Sequence, residues 1–455
     1  MKAPPLKLAL LAALVLVLLL PVARVTSLVR ERQARGAEVR REIASSWGEA
    51  QALIGPVLTV PIRLGPIPAK EGPIYRRDLL HLLPEDLRWQ GTLAPHELYR
   101  GIFEVIVYEG SLRAEGSFRL PRATDLPDGV FAVDWDQAAL ALGLSDSRGI
   151  QERLALRWAG SPLAFLPGTG DAGFLEQGVH APLPALAPAG DAIPFLLEVD
   201  LRGTESLSLA PLGQLTRVDL ASTWPDPSFG GAFLPDRRRI GEDGFAASWA
   251  VPWFGRSFPQ QWRRGEHLDE EVRRTLLGAA FGVSLARPAN GYLQTERSVK
   301  YAALFLVLTF TTCFLFELLS PVRLHPLQYL LVGAALCLFY LLLLALSEHF
   351  GFAAAYLAAS FAIVTLVAGY ARSVLASRRR AAVLGACLSA LYGYLFALLR
   401  AQDYALILGT IGLFAALAAV MFLTRRLDWY TLRFAGEEPQ RPPPPSAPAA
   451  AVPRL

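Results

Sequence analysis

Uncharged, apolar residues are concentrated in two parts of the chain. The first is residues 8–23, which Lys2 and Lys7 precede. The second begins at Lys300, where charged residues bracket successive uncharged stretches: Lys300–Glu317, Arg323–Glu348, Glu348–Arg372, Arg380–Arg400 and Asp403–Arg425. A bilayer-spanning helix needs about 20 apolar residues, and charged residues at the ends of a shorter stretch can snorkel to the interfaces. The pattern predicts one N-terminal transmembrane helix and a C-terminal bundle of five.

The N-terminal helix, residues 1–29, is interpreted as an uncleaved signal anchor. Pro21 and Arg24 stand where a signal peptide would carry its small-x-small cleavage site. The five C-terminal helices occupy residues 300–433. The proline-rich residues 434–455 are predicted to be a disordered cytoplasmic tail.

Residues 30–299 have ordinary polar composition and alternate between apolar and polar positions. This period of two predicts strands at 57–64, 80–83, 194–201, 205–210, 215–222, 244–253 and 279–286. Residues 102–119 predict a hairpin that turns at Glu109-Gly110-Ser111. Frequent Gly-Pro and Pro-Asp turns favour a mostly antiparallel β sandwich, or two sub-domains packed together.

Three other segments of residues 30–299 do not follow the strand pattern. Residues 28–54 are predicted to continue the anchor as a helix that Gly55-Pro56 stops. Residues 266–281 begin with acidic side chains and predict a second helix. Residues 160–192 are dense in Pro, Gly and Ala, which indicates a long loop or an interface between sub-domains.

The charges of the loops predict the orientation. With both termini in the cytoplasm, the inner segments hold most of the bases near the helix ends, including Arg323, Arg372 and Arg425, whereas the outer turns hold Glu348 and Asp403 beside Arg400. Bases favour the cytoplasmic side, and long loops cross the membrane largely regardless of charge. We therefore expect a multi-pass protein of the bacterial inner membrane with residues 30–299 in the periplasm.

Composition narrows the class of protein. Of 455 residues, 53% are hydrophobic and 18% are charged, against about 25% charged in a typical soluble protein. This excludes a disordered chain, a disulfide-rich miniprotein and a basic nucleic-acid-binding domain, so the expected partners are the lipid bilayer and an envelope protein or lipid, not a nucleic acid. The three cysteines, Cys313, Cys337 and Cys387, fall in predicted helices and are expected to pack as small apolar residues.

No sequence motif predicts catalysis or a cofactor. Residues 168–173 match GxGxxG, but Pro167 precedes them and prolines follow at 182, 184 and 188, so a glycine loop is expected instead of a dinucleotide site. The GxSxG, HExxH, CxxC and P-loop spacings are absent from the sequence, and its six histidines form no metal-ligand pair. The prediction is a protein that is not an enzyme, with no catalytic, cofactor-binding or metal-ligating residue.

The polar residues of the bundle are the first candidate site: Glu317, His325, Glu348, His349 and Asp403. Ionisable residues in transmembrane segments suggest function, but all of these lie at helix ends. They can be interfacial anchors and salt bridges, such as Glu348 with Arg400. Alternatively, they line a path for a small solute or a lipid.

A second candidate site lies in the outer domain, where Trp224 begins the segment Trp224-Pro225-Asp226-Pro227-Ser228-Phe229. Aromatic residues beside prolines form rigid surfaces that suit protein contacts. Trp224 and Phe229 are therefore candidates for binding a partner, with membership of the sandwich core as the alternative.

Several long motifs, in order, resemble the CreD family of bacterial inner-membrane proteins. The motifs in residues 30–299 are SWGEAQALIGPVLTVP (46–61), RGIFEVIVY (100–108), PLGQLTRVDLASTWPDPSFGGAFLP (211–235) and GFAASW (244–249). The membrane motifs are VKYAALFLVLTFTTCFLFEL (299–318), HPLQYLLVGAALCLFYLLLLALSEHFGFAAAY (325–356), LYGYLFALLRAQDYALILGTIGLF (391–414) and MFLTRRLDWY (421–430). The resemblance covers about residues 25–433, with departures at 160–192 and in the proline-rich tail.

The resemblance implies a compartment and a biological setting. CreD-like proteins are linked to envelope integrity and stress, including altered tolerance to colicins and β-lactams, and in some bacteria they belong to a two-component regulon. The resemblance carries over no catalytic residue. Two hypotheses follow: a non-enzymatic envelope protein whose periplasmic β domain binds an envelope component, or a transporter-like protein that handles a small solute or a lipid.

Overall fold

The computed structural model describes residues 4–67, 74–187, 191–264, 269–286, 290–318, 324–375, 377–401 and 404–425. The chain separates into two compact units. One comprises residues 1–33 and 289–455, and the other comprises residues 34–288. The first unit is helical and the second is rich in β structure.

The strands of the β unit form two sheets. In chain order the strands are β1 (Gln51–Ile67), β2 (Ile74–Leu82), β3 (Asp86–Arg100), β4 (Phe103–Arg119), β5 (Val130–Val133), β6 (Ala139–Leu144), β7 (Ile150–Trp158), β8 (Ser161–Leu163), β9 (Leu166–Pro167), β10 (Gly178–Pro182), β11 (Ala192–Thr204), β12 (Ser206–Leu209), β13 (Leu215–Ser222), β14 (Ser228–Gly231), β15 (Arg237–Gly241), β16 (Gly244–Pro252), β17 (Gln261–Arg263) and β18 (Phe281–Ser284). The first sheet has the order β14-β18-β12-β1-β6-β10-β9, with β2 and β5 also paired to β1 and β17 to β2. The second sheet has the order β15-β16-β13-β3-β4-β11-β7-β8.

The two sheets share one hydrophobic core. Alternation along β16 buries Phe245, Ala247, Trp249 and Val251 while their neighbours face outward. Trp249 of the second sheet lies 5.6 Å, ring to ring, from Phe281 of the first. Pairing is antiparallel except for β1 with β12 and β3 with β13. The predicted β-rich domain is confirmed in this form, as two sheets packed across a common core.

Two local predictions in the β unit are wrong. Residues 103–119 form one strand, β4, with no turn at Glu109-Gly110-Ser111, because these three residues stay paired with β3 on one side and β11 on the other. The helix predicted over 28–54 ends at Trp47, and β1 begins at Gln51. Gly48 ends that helix with a positive φ of 136°, and its amide donates to Ala44 O at 2.8 Å.

Other predicted segments differ in part from the observed structure, agree with it, or lie outside the described residues. Residues 160–192 contain the strands β8, β9 and β10 and bury Phe174 and Leu175 in the core. The acidic helix is observed over Asp269–Gly278. The cytoplasmic tail at 434–455, the candidate Asp403 and the loop base Arg323 all lie outside the described residues.

The helices are α1 (Pro4–Trp47), α2 (Asp269–Gly278), α3 (Asn290–Lys300), α4 (Ala302–Leu318), α5 (Pro326–Val374), α6 (Arg378–Arg400) and α7 (Ala405–Thr424). In the described ranges, α1, α5, α6 and α7 are each long and apolar enough to cross a membrane. A fifth span is added if α3 and α4, which bend by 46° at their junction, are counted as one.

The long helix α5 reverses its direction at Gly351. Gly351 has φ 73° and ψ 161°, which is not helical and is a conformation open essentially to glycine alone. Phe339 and Tyr356 lie on opposite sides of this break, and their rings are 5.3 Å apart. In a straight helix these residues would be separated by roughly 25 Å. The segments 326–350 and 352–374 therefore pack side by side as a hairpin.

Candidate functional site

The first polar cluster of the helical unit contains Lys7 of α1, Glu317 of α4 and Tyr329 of α5, and is called the Lys7 cluster. The Lys7 ammonium pairs with one oxygen of the Glu317 carboxylate and donates to Leu324 O at 3.0 Å. The Tyr329 hydroxyl donates to the other Glu317 oxygen at 3.0 Å. All three residues are buried: Lys7 is 8% exposed, Glu317 5% and Tyr329 2%.

The physical role of the Lys7 cluster follows from this burial. A lone charge in a low-dielectric interior costs several kcal/mol, and a well-bonded partner offsets most of that cost. Here both carboxylate oxygens of Glu317 are hydrogen-bonded, so the pair is satisfied only while α1, α4 and α5 stay together. Beside it lies a cavity of about 30 Å³ whose lining includes Cys313, Gln328 and Tyr370, which is room for about one water molecule.

The second polar cluster comprises Arg32 of α1, Tyr292 of α3 and Glu348 of α5, and is called the Glu348 cluster. The Tyr292 hydroxyl donates to Glu348 Oε1 at 3.2 Å, and Arg32 Nε lies 3.7 Å from the same oxygen. The expected pairing of Glu348 with Arg400 is not observed, because the guanidinium of Arg400 lies over the ring of Phe396 at 5.1 Å. Both clusters therefore attach α1 to the other helices of its unit.

The remaining candidates of the bundle do not join these clusters. His325 caps the start of α5, where its Nδ1 accepts the Leu327 amide at 3.2 Å. His349 is exposed and lies against the ring of Phe350. Glu317 of α4 contacts the segment 326–350 near its start, at Tyr329, whereas Glu348 lies near the end of that segment. Among the residues that the structure describes, no group of three His, Cys, Asp or Glu side chains could hold a metal ion.

The aromatic candidates of the β unit lie in or against the core. Trp224 is 5% exposed, and its indole N–H donates to Asp226 O at 3.1 Å. Phe229, on β14, is half-buried, with its ring 5.5 Å from Phe245 and 5.8 Å from Trp249. Trp224 and Phe229 are therefore packing residues of the sandwich core, which is the alternative to partner binding given above, and they do not form an exposed surface.

The buried titratable groups of the β unit also have structural partners. His81 is 1% exposed, its Nδ1 is 3.0 Å from the Thr59 hydroxyl, and its ring contacts Phe174 and Trp262. Burial first, and the positive charge of Arg264 second, lower the pKa of His81 from 6.5 to about 3. His81 is therefore a neutral core residue at any physiological pH.

A broad trough of about 1290 Å³ crosses the outer face of the second sheet. Short side chains such as Thr92, Ser111 and Ala221 form part of its lining. Most of its charged groups already have partners: Arg202 lies 2.9 Å from Glu109, and Ser111 donates to Asp200 at 2.7 Å. Arg239 also lines the trough, and its side chain has no hydrogen bond or ion pair with any described residue.

Sequence reasoning missed four residues of the two clusters: Lys7, Arg32, Tyr292 and Tyr329. Lys7 was interpreted only as a flanking positive charge of the anchor. A usable signal existed, because lysine is rare in this arginine-rich chain and Lys7 adjoins an apolar run, where an ionisable residue needs a partner. The partner itself, 310 positions away, could not be identified from the sequence.

A β-rich domain joined to apolar helices of membrane-spanning length defines a polytopic membrane protein. The family model described as inner membrane protein CreD matches residues 3–430. The chain is also 36% identical over 424 residues to "Inner membrane protein CreD" of Escherichia coli (strain K12), covering 91% of each chain. The chain belongs to the CreD family, as its motifs predict.

Similarity to solved structures is weak. The M1 zinc metallopeptidase from Deinococcus radiodurans matches with a TM-score of 0.20 at 12% identity, covering 37% of this chain and 38% of that one. A mutant of a peptidase of the same description, bound to a Tyr-Ser-Ala substrate, matches with a TM-score of 0.20 at 12% identity, over 37% and 39% of the two chains. Scores this low support no conclusion about fold or activity.

Proposed function

We propose that this protein is a non-enzymatic, multi-pass inner-membrane protein that supports envelope integrity under stress, and that its β unit binds another envelope component in the periplasm. The observation that carries the proposal is the attachment of α1 to the other helices of its unit at two separate levels, through the Lys7 and Glu348 clusters. Membership of the CreD family supports the compartment.

The proposed topology has six membrane crossings. They are α1, the bent pair α3–α4, the two halves of α5, α6 and α7. Each half of α5 exceeds the roughly 20 residues that a span requires, and the hairpin at Gly351 supports counting them separately. The excess of arginine around the cytoplasmic ends supports termini inside and residues 30–299 outside.

The two attachment points favour a scaffold over a transporter. A transporter must rearrange its helices around a midplane site, whereas here Glu317 is held by two partners in a buried environment and Glu348 by two others. Glu317 is bonded near the start of α5, at Tyr329, whereas Glu348 lies near the end of the segment 326–350, so the two acidic groups belong to separate clusters and do not line a shared path. The part of α1 between Lys7 and Arg32 is thereby attached at both ends to the other helices of its unit.

The proposal is tested by complementation. A strain without the gene should regain wild-type colicin and β-lactam tolerance from the wild-type chain. It should also regain it from the control Glu296→Gln, since Glu296 pairs with Lys300, whose side chain is 68% exposed. Glu317→Gln should fail because α1 detaches. Solute movement into liposomes that carry the purified chain, or tolerance unchanged by loss of the gene, would contradict the scaffold proposal.

A further inference from the structure

The strand β15 forms one edge of the second sheet. Among the described residues it pairs with β16 alone, and all five of its residues are exposed. Exposed strand edges carry unpaired backbone N–H and C=O groups and can accept a further strand from another chain. The edge is therefore able to bind an extended peptide segment through its backbone.

The side chains of β15 define which segment would fit. Arg237 and Arg239 lie opposite Ser248 and Ala246 and project to the trough face, whereas Arg238 and Ile240 lie opposite the buried Ala247 and Phe245. Ile240 is nevertheless 48% exposed, so the core face is open at this edge. The backbone of these arginines pairs with β16, but none of their side chains has a hydrogen bond or an ion pair with any residue in the described ranges.

From this edge we infer that β15 binds an extended acidic segment of another envelope protein by strand addition. Carboxylates facing Arg237 and Arg239 would form charge-assisted hydrogen bonds, and an apolar side chain on the other face would cover Ile240. The partner segment therefore alternates acidic and apolar residues. The inference rests on the proposed function, to which it adds the chemistry of the partner.

The positive charge of β15 favours an acidic strand over a second copy of β15 and over an uncharged apolar strand. A second copy of β15 would place three arginines against three arginines, and like charges directly opposite one another destabilise strand pairing. An uncharged apolar strand would leave Arg237 and Arg239 without partners. An acidic strand alone satisfies both the backbone edge and the cationic side chains.

The test measures peptide binding to the full-length chain in zwitterionic nanodiscs, by isothermal titration. The probe is a short peptide of alternating Glu and Val, and its counterparts replace Glu with Lys or methylate alternate amides. The variant is Arg237→Ser/Arg239→Ser. The matched control, Arg157→Ser/Arg217→Ser, removes two exposed arginines of the same sheet from β7 and β13, which are already paired on both sides.

We expect the Glu-Val peptide to bind, and to bind about tenfold more weakly to the Arg237/Arg239 variant, as the loss of two exposed ion pairs implies. The control variant should bind as wild type does, and the lysine and methylated peptides should not bind. The inference is overturned by equal weakening in both variants, by binding of the methylated peptide, or by no binding at all. Because complementation is scored separately, this failure would leave the proposed function standing.

Discussion

At the scale of single residues, burial determines what each polar side chain does. Lys7, Glu317 and His81 are all ionisable and all less than a tenth exposed. Lys7 and Glu317 satisfy each other, whereas His81 avoids charge altogether and pairs with Thr59. The candidates nearer the surface, His325 and His349, have no comparable constraint. The buried pair of Lys7 and Glu317 therefore joins α1 to α4, whereas His81 is a neutral packing residue.

Glu317→Gln should strongly destabilise the helical unit. The substitution leaves the Lys7 ammonium buried without its countercharge, which costs about 3 kcal/mol or more. Denaturation in detergent micelles, followed by circular dichroism, measures the loss. Glu296→Gln, which alters a pair whose Lys300 side chain is 68% exposed, should change stability by less than about 0.5 kcal/mol. Equal effects of the two substitutions would refute the role of the buried pair.

Gly333→Ala should loosen the packing of α1 and α4 on α5. An added Cβ would lie 2.2 Å from Leu18 Cδ1 and 2.9 Å from Phe310 Cζ, so these side chains must shift. Overpacking of this kind costs about 1–3 kcal/mol. The control is Gly369→Ala in the same helix, where an added Cβ meets no atom within 4 Å. If both variants unfold alike, close approach at Gly333 does not matter.

His81 should make the β unit less stable in acid. In the unfolded chain its pKa is near the ordinary 6.5, and burial lowers it to about 3 in the folded chain. The unfolded state therefore takes up the proton first, and stability falls as the pH drops from about 6.5 towards 3, by up to about 1.4 kcal/mol per pH unit. Unfolding of wild type and His81→Gln across this range measures the effect. If the free energy of unfolding falls with pH as steeply in His81→Gln as in wild type, His81 is not the cause.

At the scale of elements, periodicity predicted strands well where it was regular and failed where packing dominates. The alternation of 215–222 and 244–253 predicts β13 and β16 almost to the residue. The strand β3 was not predicted, because Gly91 and Pro95 interrupt its pattern. Close packing explains the glycine at position 91, since an added Cβ would lie 2.3 Å from Leu112 Cδ2. No local sequence pattern reveals this contact.

The candidate site was less predictable than the elements. Glu317 and Glu348 were identified because a charge beside an apolar run is visible locally. Their partners Lys7, Arg32 and Tyr292 lie far away in the sequence, and only the packing of the helices brings them together. For the same reason, the burial of Trp224 could not be decided from its neighbouring prolines.

The hairpin within α5 should depend on Gly351. With φ 73° and ψ 161°, any other residue there is strained by about 1–3 kcal/mol. Gly351→Val should therefore reduce disulfide formation between cysteines placed at Phe339 and Tyr356. Gly393→Val on α6, where an added Cβ meets no atom within 4 Å, is the control. Undiminished crosslinking in Gly351→Val would mean that the break does not create the hairpin.

At the scale of the whole molecule, the distribution of apolar residues assigns each unit to its surroundings. The helical unit exposes apolar side chains such as Leu406 and Phe414, which suits lipid. The β unit covers its core with paired charges and leaves the arginines of β15 exposed. The proposed function places the β unit in the periplasm, and this location is the central claim.

Labelling with a membrane-impermeant maleimide tests that claim most directly. In a chain with Cys313, Cys337 and Cys387 replaced by alanine, one cysteine is introduced at Arg157 in the β unit or at Ser377 before α6. In intact spheroplasts we expect the cysteine at position 157 to be labelled at once and the cysteine at position 377 to be labelled only after lysis. Labelling at 377 without lysis, or protection at 157 until lysis, would contradict a periplasmic β unit.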